Sequence, residues 1–186
     1  MVSQGGYMDF YELVAKRKSV RSYADKPVEE EKLRRILEAA RLAPSASNRQ
    51  EWRYVVVTEP DTRAQLAEAA SGQSFVGEAP VVIACCAETD GHIMKCGHPS
   101  FLVDVAIGID HLTLAAAAEG LGTCWIGAFD QKAVKSALDI PPEIEVVELL
   151  PLGYPVDPSP KEKRRFPMHT IVYRERWGTG DTEATS

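Results

Sequence analysis

The spacing of apolar residues along the chain predicts its helices first. Leucine, isoleucine and alanine recur at positions 33, 36, 37 and 40, which is the spacing of one buried helical face. Pro27 opens this helix, glutamates at 29–31 fill its first turn, and Pro44 ends it. Capping residues and apolar spacing also predict a helix that begins at Asp9, a short surface helix over 61–70 and another over 132–138.

Runs of β-branched and aromatic residues predict four strands. These runs are WRYVVVT, APVVIACCA, TCWIGAF and EVVELLPLGYP, and the second is apolar throughout, as a strand buried on both faces would be. Helices and strands interleave along the chain. The sequence therefore predicts an α/β or α+β domain with a small sheet.

The most apolar segment of the chain is the predicted helix over 101–119. Its composition resembles that of a membrane span, but Asp104, Asp110, His111 and Glu119 interrupt the apolar run, so we interpret it as a buried helix and expect no membrane. Apolar residues on nearly every face of this helix need more cover than a small monomer supplies. A subunit interface would provide that cover.

Length, charge and cysteine content narrow the class of protein. The 186 residues predict a single domain over residues 1–178, followed by a polar, disordered tail over 179–186. A formal net charge of -6 argues against nucleic acid and anionic lipid as general partners. The first ten residues contain no secretory signal pattern, and none of the four cysteines lies in a CxxC pair, so we expect a cytoplasmic protein with buried thiols.

Two basic clusters stand out against this acidic background. The first contains Arg17, Lys18 and Arg21, and the second is the segment KEKRR over 161–165. Cations concentrated in this way indicate a local anion of about the size of a phosphate, to which arginine can donate two parallel hydrogen bonds. Two solvated surface patches are the alternative. Polar residues near the first cluster, including Ser19 and the segment PSASNRQ, suit the edge of a heteroaromatic ring, although PSASNRQ is also typical of a turn.

Five ordered motifs carry a resemblance to a known family. The motifs are RKSVRSY, APSASNRQEWRYVVV, GLGTCWIGAFD, KRRF and YRERW, and they extend over roughly residues 10–177. In this order and at this spacing the chain resembles the FMN-dependent nitroreductase family, as one of its short members.

The resemblance implies a fold, an assembly and a cofactor. The implied fold is an α+β three-layer sandwich, with a central and mostly antiparallel sheet flanked by helices, in an intertwined homodimer that binds FMN at its interface. NADH or NADPH would deliver a hydride to flavin N5, and a small electron-poor acceptor such as a nitroaromatic or a quinone would take it in a ping-pong cycle. The flavin carries this chemistry, so no catalytic side chain is implied.

The resemblance also implies which residues bind FMN. One group would contact the phosphate, the ribityl chain and the pyrimidine edge, and it contains Arg17, Lys18, Ser19 and Arg21. Lys163 and Arg165 would close on the phosphate. Pro44, Ser45, Ala46 and Asn48 would reach FMN from the other subunit. Ile126 and Gly127 form the turn whose backbone lies near N5, and Gln73 would contact the ring edge.

The chain departs from the family pattern at one position, and the sequence leaves alternatives open for the metal site and the function. The family commonly has proline where this chain has Glu51, whose carboxylate is then free to meet the partner subunit. A metal site formed by His92, Cys96 and His98 is disfavoured by their spacing, and we interpret the loop over 88–100 as a lid. The alternative functions are a flavin storage or sensor protein, and dehalogenation, enone reduction or flavin destruction on the same scaffold.

Overall fold

A four-stranded antiparallel sheet forms the centre of the molecule. The computed structural model describes residues 9–179. In it the strands follow the spatial order β1-β2-β4-β3. Their bounds are β1 Trp52–Val57, β2 Val81–Ala87, β3 Gly122–Thr123 and β4 Glu145–Gly153.

Helices cover both faces of this sheet. They are α1 Phe10–Lys16, α2 Glu30–Arg41, α3 Pro60–Ala69, α4 Ser74–Glu78, α5 Ser100–Ala118, α6 Gln131–Ala137 and α7 Met168–Ile171, with a 3-10 turn over Ala46–Asn48. Apolar side chains of α2 and α5 pack on one face, and those of α3, α4 and α6 pack on the other. The predicted α+β three-layer sandwich with an antiparallel sheet is confirmed.

Strand β2 shows how the sequence specifies these layers. All seven of its residues are buried, as its uninterrupted apolar run predicts. Side chains of a strand alternate between the two faces of a sheet, so Ile83 and Cys85 enter the α2–α5 layer while Ala84 and Cys86 enter the other layer. The buried thiols of Cys85, Cys86 and Cys124 are free, as predicted.

The start of α2 differs from its prediction. The helix begins at Glu30, so the prediction that Pro27 opens it is wrong. Residues before it are held extended because the Ala24 N–H donates to the carbonyl oxygen of Tyr154 at 2.8 Å. The Tyr154 hydroxyl in turn donates to the carboxylate of Glu29. These contacts with the segment after β4 delay the helix by one turn.

The third predicted strand is much shorter than TCWIGAF. Pairing of Gly122 with Gly153 sets a register in which Cys124 lies opposite Pro151, and the same register returns where Ile126 bridges Leu149. Proline has no N–H, so the ladder lacks a donor at the position of Cys124. Strand β3 ends there, and the chain turns away from the sheet around Gly127.

Helix α5 lies between α2 and the sheet. His111 contacts the carbonyl oxygen of Ala39 through Nδ1 at 3.3 Å, and eight residues of the helix are buried, including Val105, Ile109 and Leu112. Its length and composition would allow it to cross a membrane, yet 39% of its apolar window is buried inside the protein. Leu102 and Val103 remain 46% and 45% exposed on its outer face.

The C-terminal part of the chain lies on the surface. No residue from 154 to 179 is buried, although Phe166, Met168, Ile171 and Trp177 are large and apolar. The predicted final element TIVYRERW is reduced to the short helix α7, which ends at Ile171. Residues 180–186 of the predicted disordered tail, and residues 1–8 of the predicted domain, lie outside the described residues.

Gly122 offers a direct test of packing at the end of β3. A Cβ atom at this position would lie 2.3 Å from Cγ2 of Val20, so we expect Gly122→Ala to lower the free energy of unfolding by about 1–3 kcal/mol. Urea denaturation measures this change. Gly127→Ala serves as the control for stability, because its new Cβ would lie 3.7 Å from the nearest atom.

A second substitution separates steric overlap from other effects of Gly122→Ala. Adding Val20→Ala removes the two Val20 methyl groups that the new Cβ would meet, so the double variant should lose less stability than the two single losses added together. Strict additivity would contradict this explanation.

Candidate functional site

The first basic cluster lies on an extended segment beside the short strand β3. The Val20 N–H donates to the Thr123 carbonyl oxygen at 2.9 Å, and Ser19 forms a parallel bridge with Thr123. Buried Tyr23 fixes the same segment, because its hydroxyl donates to the Val20 carbonyl oxygen at 2.8 Å. The segment therefore presents Arg17 to Arg21 along the edge of the sheet.

Residues of both basic clusters, with the exception of Arg21, line the same cavity. Its volume is about 330 Å³. Its lining consists of Arg17, Lys18, Ser19, Lys161, Glu162, Lys163, Arg164 and Arg165. Segments that are about 140 residues apart in sequence thus meet at one place, which the charge pattern alone left open.

Two lysines fasten these segments to each other. The Lys18 ammonium donates to the backbone carbonyl oxygens of Asp157 and Ser159. The Lys163 ammonium donates to the carbonyl oxygen of Val14, at the end of α1. The two lysines hold the second cluster over the first.

Repulsion between cations contributes to a lowered pKa of Lys163. Loss of hydration lowers the pKa of Lys163, and the charges of Arg17 and Arg165 lower it further. Charges of one sign that are held together in this way favour a bound anion, since the anion offsets both the repulsion and the loss of hydration. The arginines supply forked donors that suit a phosphate.

A second cavity adjoins the first and is largely apolar. Its volume is about 300 Å³, and it shares Arg17 and Lys18 with the basic cavity. Val20, Leu121 and the tail of α5 at Ala117 contribute to its wall. Arg17 and Lys18 thus lie where one ligand could bind with a charged group in the basic cavity and an apolar part in the second cavity.

The Gly127 turn forms the other end of the candidate site. The Ile126 N–H donates to the Leu149 carbonyl oxygen at 3.0 Å, which places Gly127 next to Glu148 of β4. A Cβ at Gly127 would lie 3.7 Å from Oε2 of Glu148. Gly127 is exposed, and the missing side chain allows close approach to its backbone.

Ser19 and Arg21 link the two ends. Burial raises the pKa of the Cys124 thiol, whereas the charge of Arg21 and a hydrogen bond with Ser19 lower it. Cys124 lies three residues before Gly127 and also senses the charge of Glu148. The predicted residues Arg17, Ser19 and Arg21 therefore extend from the basic cavity toward the Gly127 turn.

Sequence reasoning missed Glu148. Burial raises the pKa of its carboxyl group to about 7. The available signal was an acidic residue inside the otherwise apolar run VELLPL.

The segment over 44–48 lies elsewhere on the protomer. Its Ala46 N–H donates to Oδ1 of Asp104 at 3.0 Å, near the start of α5. Thr113 of the same helix lines the apolar cavity next to the basic one, and nine residues of helix separate it from Asp104 by about 14 Å. Within one protomer the structure does not bring Pro44, Ser45, Ala46 and Asn48 to the basic cavity.

This segment has an unusual backbone. Ser47, Asn48 and Gln50 have φ values of 51°, 56° and 53°, in the left-handed region. The Gln50 N–H donates to the Ser45 hydroxyl at 3.1 Å, which helps to hold this conformation. Strained residues of this kind cluster at binding sites, since the rest of the fold has to hold them in place.

The structure places Gln73 at the start of α4. Its side-chain amide donates to the Ala70 carbonyl oxygen at 2.8 Å. Neighbouring Ala69 accepts from the N–H of Asp130, close after the Gly127 turn. Gln73 is therefore on the same side as that turn, with one amide hydrogen bond already made.

Glu51 does not face outward toward a partner, so that expectation is wrong. It is only 5% exposed, and its two carboxylate oxygens accept from the hydroxyls of Thr89 at 2.6 Å and Ser100 at 3.1 Å. Its backbone oxygen also accepts from Glu88. Glu51 thus fastens the loop over 88–100 to the strained segment before β1.

The donor set fits an organic phosphate better than a metal ion. Several cations and backbone groups converge, whereas within residues 9–179 no group of three or more histidine, cysteine or carboxylate side chains could hold a metal. FMN fits both ends of the arrangement, since Arg17, Lys163 and Arg165 can bind its phosphate while an open glycine backbone admits a flat ring.

Comparisons with known proteins identify the family of the chain. The nitroreductase family profile matches residues 14–154. The chain is 35% identical to an NADH dehydrogenase of Thermus thermophilus, over 84% of this chain and 91% of that protein. It is 33% identical to an FMN reductase [NAD(P)H] of Bacillus subtilis, over 91% of this chain and 74% of that protein.

A solved structure extends the similarity to three dimensions. A nitroreductase family protein of Clostridium difficile superimposes with a TM-score of 0.82 at 32% identity, over 91% of this chain and 99% of that one. The profile match covers most of the chain, and the fold, the order of the motifs and the converging cations are consistent with it. The chain belongs to the nitroreductase family.

Proposed function

We propose that this protein is an FMN-dependent oxidoreductase that takes a hydride from NADH or NADPH and passes it to an electron-poor acceptor such as a nitroaromatic or a quinone. Its family and the similarity to an FMN reductase [NAD(P)H] support this function. When bound, FMN supplies the hydride chemistry. The two substrates would use one face of the site in turn, in a ping-pong cycle.

The convergence of Arg17, Lys163 and Arg165 on one cavity carries the proposal. These cations, with Lys18, would bind the phosphate of FMN. Ser19 and Arg21 would contact the ribityl chain and the pyrimidine edge, where a positive charge stabilises the reduced ring. The backbone of Ile126 and Gly127 would lie near N5, and Gln73 would lie near the ring edge.

The proposed enzyme is an intertwined homodimer. A groove on α5, lined by Leu102, Val103, Ala106, Ile107, Asp110 and His111, is apolar and open. The buried atoms Nε of Arg49 and Oδ2 of Asp104 have no hydrogen-bond partner within the described part of the chain, which points to a group supplied from outside the protomer. A second copy would cover the groove and bring Pro44, Ser45, Ala46 and Asn48 to the FMN of its neighbour.

The proposal also covers the domain, the compartment and the loop over 88–100. Residues 1–178 would form one domain, since the family match over residues 14–154 and the single layered core fall within it. We place the enzyme in the cytoplasm, where its buried free thiols stay reduced. The loop over 88–100 would act as a lid above the strained segment.

Reduction of bound FMN tests the function directly. Purified protein loaded with FMN should lose its flavin absorbance on anaerobic mixing with NADH or NADPH in a stopped-flow instrument, and a quinone or nitroaromatic should restore it. Bound FMN that neither nucleotide bleaches would contradict the proposal and favour a flavin storage or sensor protein.

Charge reversal tests the phosphate contact. Arg17→Glu should raise the dissociation constant for FMN at least about 100-fold, because one charge-assisted contact of roughly 2–3 kcal/mol is lost and a like charge then faces the phosphate. Fluorescence quenching of FMN measures this affinity. Arg34→Glu, an equal reversal on the exposed face of α2, should leave the affinity within about twofold. Equal effects of both variants would remove Arg17 from the site.

A charge in the α5 groove tests the dimer. Val103→Glu should give a monomer by light scattering and lower FMN affinity, because a carboxylate would be buried in an apolar interface. Ala133→Glu on exposed α6 is the matched control and should leave both unchanged. A Val103→Glu variant that stays dimeric would exclude this face as the interface.

A further inference from the structure

Glu148 lies on β4 directly beside the Gly127 turn. Ile126 and Leu149 form a bridge in both directions, with N–H to oxygen distances of 3.0 and 3.1 Å, so Glu148 faces Gly127 across the ladder. Both carboxylate oxygens, Oε2 and Oε1, lie 3.7 and 3.8 Å from the point where a Cβ of residue 127 would be. A side chain at that position would cover the carboxyl group, and glycine leaves it open.

The surroundings of Glu148 favour its neutral form. Burial alone raises the pKa of its carboxyl group, to about 7, and no cation within residues 9–179 lowers it. The titratable groups that face it are thiols: Cys85 is its partner on β2 and Cys124 ends β3, and the charge of Glu148 raises the pKa of each. Arg21 lies beyond Cys124, where its charge lowers the pKa of that thiol.

We propose that the Glu148 carboxyl group is the proton-holding group of the candidate flavin site, taking up a proton through the gap at Gly127 when a hydride arrives there. This inference rests on the proposed function. The role gives a function to a half-buried acidic residue of β4 that lies beside an open glycine.

The charge that a hydride adds to the site explains why Glu148 would take up a proton. A hydride delivered by NAD(P)H brings two electrons and one proton, so it adds one negative charge to the site. An ionised carboxylate beside that charge is disfavoured, and Glu148 therefore binds a proton from solvent. An acceptor such as a quinone needs one hydride and one proton to become a neutral hydroquinone. The Glu148 carboxyl can donate that proton and regain it from solvent, since the side chain is only half-buried.

The midpoint potential of bound FMN, measured from pH 5.5 to 8.5, tests this role without turnover. Glu148→Gln keeps the shape of the side chain and removes its charge. The two proteins should have the same potential at the acid end, where Glu148 is neutral in both redox states. Above about pH 7 the wild-type potential should fall more steeply with pH than that of Glu148→Gln, because an additional proton is bound on reduction. Glu145→Gln on the same strand is the control and should follow the wild type.

A measurement on the FMN-free protein checks ionisation separately. The folded-state pKa of Glu148 is raised, so its contribution to stability is present at low pH and is lost as pH rises through about 7. The urea midpoint of the wild type should fall between about pH 4.5 and 7 more than that of Glu148→Gln, because the carboxyl group ionises in the unfolded chain before it ionises in the folded one.

The outcomes distinguish this inference from the proposed function. Parallel potentials for wild type and Glu148→Gln across the whole pH range, with FMN bound and bleached by NAD(P)H in both, would overturn the role of Glu148 and leave the proposed function intact. A wild-type protein that binds no FMN would overturn both. A steeper wild-type slope that Glu145→Gln shares and Glu148→Gln lacks is the expected result.

Discussion

The candidate site depends on cations that the fold holds close together. Loss of hydration and the charges of Arg17 and Arg165 lower the pKa of Lys163, yet the fold keeps all three cations around one cavity. Hydrogen bonds from Lys18 and Lys163 to backbone carbonyl oxygens fasten the two segments, and the buried sheet anchors the first of them. The repulsion is thus present before any ligand binds, and an anion relieves it.

At the other end of the site, one backbone N–H donor is missing from the sheet. Pro151 cannot donate to Cys124, so β3 ends there; the ladder returns once, at Ile126 and Leu149, before the chain turns outward at Gly127. The same turn leaves the carboxyl group of Glu148 uncovered beneath it. One proline in a central strand therefore limits the length of β3 beside this part of the cleft.

Elements specified by local pattern were predicted well, and those that depend on distant residues were not. Strands β1, β2 and β4 and helices α3, α5 and α6 follow from apolar runs and periodicity within each segment. The end of β3 depends on a proline in another strand, and the start of α2 depends on Tyr154.

For the site, charge pattern and resemblance singled out both basic clusters. Glu148 and the inward turn of Glu51 are consequences of tertiary packing, which no short motif encodes.

The unburied C-terminal segment has a consequence for how the protein behaves in solution. Residues 154–179 contain no fully buried residue, and contacts of Tyr154, Lys18 and Lys163 hold them to the rest of the chain. In the proposed dimer, a neighbouring subunit or a ligand would supply further free energy to order them. Four of the six cations around the cavity belong to this segment. If the proposed dimer forms through this segment, mass action links cofactor retention to the concentration of the protein itself, and specific activity should fall on dilution even though each chain stays folded.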